Sequence, residues 1–156
     1  MKFVSDPNKS NGTISMEIEK VSEFAREIIG SERKSETVHI GGFPWKILAE
    51  IEMTDESIDN NEKWLGISLL CDAPKEENWN CKCSAIIRIV SQKSDVTDLR
   101  RELNDDVFDN QARAWGYNFI SLVELMDPNK GFYDKGEDKV KLAIDFTVKE
   151  AKTEYK

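Results

Sequence analysis

The chain has 156 residues, 39% apolar and 33% charged, an ordinary balance for one soluble domain with one core. Thirty acids against 22 bases leave a formal charge of −8. That argues against a nucleic-acid backbone or an anionic membrane as the main partner, since both attract positive surfaces.

Met1 to Gly12 is polar, does not have the pattern of a secretory signal, and reads as a disordered leader over residues 1–12. Ile14, Met16 and Ile18 then alternate with polar neighbours, the period of a half-buried strand. Val21 to Gly30 breaks that period. Phe24 and Ile28 are four apart, which fits one or two helical turns or a structured loop. Thr37 to Ile40 alternates again and stops at Gly41-Gly42. Trp45, Ile47, Ala49 and Ile51 mark the next strand, with Pro44 at its start, where a missing donor does least harm. Residues 54–63 are acidic and polar and predict a solvated turn.

Leu65, Ile67, Leu69 and Cys71 predict a strand, as do Cys81, Cys83, Ala85, Ile87 and Ile89. Residues 92–114 are charged, with Phe108 as the main apolar anchor, and predict at least a short strand near Val107-Phe108. Trp115, Tyr117 and Phe119 alternate. Ser121 and Glu124 have capping-box spacing before one helical turn. Asp127 to Gly131 is a strong turn signal. Val140, Leu142, Ile144, Phe146 and Val148 define the last strand of a domain over 13–149, and the charged tail at 150–156 is expected to fray. Seven or eight strands with little helix predict an all-β antiparallel sandwich or barrel.

Catalytic or metal chemistry finds few candidates. His39 is the one histidine and lies in a predicted strand, with no second histidine to share a metal or complete a triad. Cys81 and Cys83 are two apart, tighter than zinc-ligand spacing, and only Cys71 remains as a third. Three cysteines in a chain without an export signal predict free thiols in a reducing cytosol or nucleus. Gly41-Gly42 lacks the lysine and helix start of a phosphate loop. The expectation is therefore no enzyme, no cofactor and no metal. Trp45, Trp64 and Trp79 read as packing residues. Trp115 differs. Gly116 separates it from Tyr117, and a strand glycine between two aromatics suits close approach of another backbone.

The segments Ile14 to Phe24, Ile40 to Ile47 (IGGFPWKI), Leu65 to Cys71, Trp79 to Val90, Trp115 to Ile120 (WGYNFI) and Leu125 to Phe132 (LMDPNKGF) stand in the order of a known family. The chain resembles the meprin and TRAF-C homology (MATH) domain, most closely its nematode branch. The resemblance implies an eight-stranded antiparallel β-sandwich. It also implies capture of short extended peptides by strand addition, with main-chain bonds giving affinity and side-chain pockets giving selectivity.

Carried over residue by residue, it places Trp115, Gly116 and Tyr117 on the groove strand. Ser68 stands where the family's ubiquitin-ligase adaptors carry a ring. Ala114 replaces an aspartate that binds the peptide's polar side chain. Arg113 beside it leads to an expected preference for acidic or phosphorylated peptides. Substrate recognition in ubiquitin-dependent pathways, with ligase components reached through domains outside this chain, is the leading expectation. A targeting role in deubiquitination and a scaffold or self-association module are the alternatives.

Overall fold

The computed structural model describes residues 10–54 and 62–154. The predicted leader over 1–9 and most of the predicted turn over 54–63 lie outside the described residues. In chain order the strands are β1 (Asn11–Glu19), β2 (Glu32–Lys34), β3 (Val38–Ile40), β4 (Phe43–Glu52), β5 (Trp64–Cys71), β6 (Asn78–Ile89), β7 (Leu99–Asp109), β8 (Ala114–Ser121) and β9 (Lys139–Glu154). Two single helical turns, α1 (Val21–Phe24) and α2 (Leu122–Leu125), link them. One sheet has the order β1-β9-β6-β7. The other has the order β2-β4-β5-β8, and β3 also pairs with β4. The strand pairings are antiparallel. Taken as one interrupted edge strand, β2 and β3 complete an eight-stranded sandwich.

Alternation puts the apolar residues of both sheets into one layer. Trp45, Ile47, Ala49 and Ile51 of β4 and Leu65, Ile67, Leu69 and Cys71 of β5 are fully buried. They face Cys81, Cys83, Ile87 and Ile89 of β6 and Val140, Leu142, Ile144, Phe146 and Val148 of β9. Trp45 crosses between the sheets, meeting Phe108 edge-on at 5.2 Å and Phe146 at 5.4 Å. Its indole N–H donates to the Ile40 carbonyl at 2.9 Å, so the ring is buried without an orphaned donor. Gly41 and Gly42, at φ 62° and 85°, make the two-residue primed turn that joins β3 to β4.

Two departures from the sequence reading have local causes. β7 is eleven residues long, not a short strand near Val107-Phe108. Its inward residues Leu103 and Phe108 are five apart, an odd spacing that hides the period. A bulge at Asp105 (φ 51°) absorbs the extra residue. Of the tail expected to fray, residues 150–154 are instead strand. A second bulge near Glu150 (φ 49°) lets β9 continue to Glu154, paired with Asn78–Asn80. The 21–30 segment holds a single helical turn, as its spacing allows; the turn stops at Phe24, which is buried, and Ile28 beyond it is 80% exposed.

Candidate functional site

β8 lies at the edge of the second sheet, paired with β5 on one side and with no strand beyond it among the described residues. The Cys71 N–H donates to the Arg113 carbonyl at 2.8 Å. Antiparallel ladders alternate, so Trp115 and Tyr117 are the hydrogen-bonded partners of Leu69 and Ile67. The peptide groups of Ala114, Gly116 and Asn118 consequently point away from β5, toward the open edge. Edge strands are usually guarded by charge, proline or a bulge. β1, β2 and β7 carry two or more charged residues each, and β3 has only three residues. β8 carries no Asp, Glu, Lys or Arg.

Trp115 and Tyr117 stand on the inward face, opposite the fully buried Leu69 and Ile67, yet each is 39% exposed. They occupy the open side between the two sheets. The Trp115 indole N–H donates to the Val107 carbonyl at 2.8 Å, and the Tyr117 hydroxyl donates to the Glu102 carbonyl at 2.5 Å. Both acceptors lie on β7, the edge of the other sheet. The rings thus tie the two edges together and still present a face outside. Tyr117 also meets Phe119 edge-on at 6.3 Å.

Gly116 faces outward opposite Ser68. A β-carbon there would fall onto the Ile67 carbonyl oxygen and onto Ser68. The backbone that Gly116 admits is the chain's own β5. With small or no side chains at Ser68, Gly116 and Ala114, strand geometry makes the outer face low here, a shallow trough that Glu52 closes off over Gly66.

Arg113 is not open beside this trough. Its Nη2 pairs with Asp72 Oδ1 at 2.9 Å, and Lys46 Nζ lies 3.3 Å from Asp72 Oδ2. The basic side chain expected to draw acidic peptides is already held by a carboxylate. At the other end of the trough, Glu50 and Glu52 have no cation or donor bonded to them among the described residues. Burial, with Glu32 acting on Glu50 and Glu50 on Glu52, raises both carboxyls above the ordinary range. Strand alternation places Lys46, Leu48, Glu50 and Glu52 on one face, so the sequence carried this signal. The Asp72 clasp had no such signal, because it depends on where two loops meet.

The other candidates sort simply. His39 is exposed. Cys71, Cys81 and Cys83 are free and buried. Burial pushes the Cys71 and Cys83 thiols up to about 12 and raises Cys81 as well, so all three stay protonated and act as small apolar residues. No group of three or more metal-ligating residues occurs among the described residues. No helix among them is long and apolar enough to cross a membrane.

Fold and edge together define a two-layer antiparallel sandwich with one bare rim. The family model of the MATH domain matches residues 13–146, and the chain belongs to that family of protein-interaction modules. Among solved structures it is similar to TRAF5 of Notothenia coriiceps, with a TM-score of 0.57 and 16% identity. That match covers 93% of this chain and 76% of that one. At that identity the likeness speaks for the fold alone.

Proposed function

We propose that the chain captures an extended segment of a partner protein as an added strand along β8. The observation that supports this reading is the unguarded edge. The outward peptide groups of Ala114, Gly116 and Asn118 have no strand partner and no nearby charge in their own strand to repel one. The half-exposed rings of Trp115 and Tyr117 give the guest's inward side chains an apolar surface. Individual main-chain bonds are modest, so affinity on the order of micromolar is expected. Following the resemblance to the ubiquitin-ligase adaptors, such capture serves substrate recognition in ubiquitin-dependent pathways, with the effector supplied by other domains or subunits.

Trp115→Ala is a poor test, because it also cuts the tie to β7. Ala114→Pro is better. Residue 114 opens the strand and its N–H points outward, so proline removes no bond to β5. Peptides selected from a random library should protect the amides of Gly116 and Asn118 from exchange. They should bind the Ala114→Pro chain about tenfold more weakly, with its circular dichroism unchanged. Equal binding, or protection on another face, would refute strand capture.

A further inference from the structure

Resting on the strand-capture reading, we propose that the captured strand carries a lysine or arginine where it passes Asn118, held there by Glu50 and Glu52. The register sets Glu32, Glu50, Gly66 and Asn118 in one row across the outer face, ending at the open edge. Glu50 sits directly opposite Glu32, a like-charge pairing that costs stability in a sheet. Lys34, 3.9 Å from Glu32, answers only that carboxylate. Glu52 lies over Gly66, where a β-carbon would collide with its carboxylate. The glycine therefore lets an unpaired acid lean across β5 toward β8.

A carboxylate cluster alone would be a solvated face. Here three outward peptide groups one strand away call for a chain, and that chain's outward side chains must cross this row. Strands lie about 4.8 Å apart, so a guest backbone beside β8 runs roughly 10 Å from Gly66. The stem of a lysine or arginine covers most of that span. Trp64, two residues before Gly66 on the same face, adds an aromatic surface beside the acids, a setting that favours a cation.

The opposite end of the trough strengthens the contrast. There Asp72 already pairs with both Arg113 and Lys46, while Glu50 and Glu52 are left without a partner among the described residues. Their burial penalty is recovered when a guest supplies the missing charge.

The test uses the whole chain and a library of random twelve-residue peptides at pH 7. Peptides retained by the wild type should be enriched for Lys or Arg at one fixed position. Replacing that residue by norleucine should weaken binding about tenfold. The Glu50→Gln/Glu52→Gln chain should lose the same factor for the basic peptide, and the norleucine peptide should bind both chains alike. A retained pool without basic enrichment, or an enrichment that survives in the double variant, overturns this inference and leaves strand capture standing. If no peptide binds the wild type better than the Ala114→Pro chain, strand capture fails and this inference with it.

Discussion

At Gly116 the constraint comes from inside the sheet. A methyl group there would meet the Ile67 carbonyl oxygen and the Ser68 Cα, both backbone and unable to swing aside. Gly116→Ala should therefore push β8 off β5 and lower stability by about 1–3 kcal/mol, the usual scale for overpacking. Chemical denaturation measures this directly. A midpoint equal to wild type would mean that the β5–β8 ladder relaxes without loss. A strand glycine between two aromatics suits close backbone approach, and the strand that approaches Gly116 is β5. A bare glycine between two aromatics tells the reader that something comes near, without telling from which side. Arg113 is a similar case. Its charge was legible and its ion pair with Asp72 was not, because the two residues are far apart in sequence and meet only after β5 and β8 pair.

Stretches of regular alternation are legible in the sequence, and stretches at or beyond a bulge are not. The inward residues of β4, β5 and β6 keep a strict period of two. In β7 the left-handed Asp105 changes the parity between Leu103 and Phe108. The three-residue β2 (Glu32–Lys34) is too short and too charged to give a pattern at all. The β7–β8 relation was also hidden, because these strands are edges of different sheets and share no ladder. Side chains join them instead: an indole and a phenol, each donating to a carbonyl. Tyr117→Phe keeps the ring and removes one such bond. It should cost about 0.5–1.5 kcal/mol, a typical net hydrogen bond, and speed amide exchange along β7. Thermal denaturation with hydrogen exchange checks both. Unchanged β7 protection would show that the hydroxyl bond does not tie the edges.

Across the whole molecule, acids of two opposite kinds set the response to pH. Asp98 is held low by the Ser91 amide and Arg88, Asp105 by Lys149 and Ser84, and Asp138 by Ser22 and Tyr133. A lowered carboxyl stabilises the fold above its unfolded value, 3.8 for Asp, and that contribution is lost as pH falls through the folded value. Glu50 and Glu52 work the other way. Their carboxyls are raised above 4.5, so the ionised forms cost stability at neutral pH. That cost disappears as pH falls through their folded values toward 4.5 and is absent below. Stability should therefore rise on mild acidification and then fall below about pH 4, as the aspartates protonate.

Net charge of −8 adds a general repulsion that also eases toward the acid side, so the pH profile of one chain cannot separate the two effects. The Glu50→Gln/Glu52→Gln chain can. It should melt above wild type at pH 7, by a few tenths of a kcal/mol or more, and the gap should close near pH 4, where the wild-type carboxyls are themselves neutral. Melting curves between pH 4 and pH 8 decide it. A double variant no more stable than wild type at pH 7 would mean that these carboxylates carry no stored cost for a guest cation to relieve.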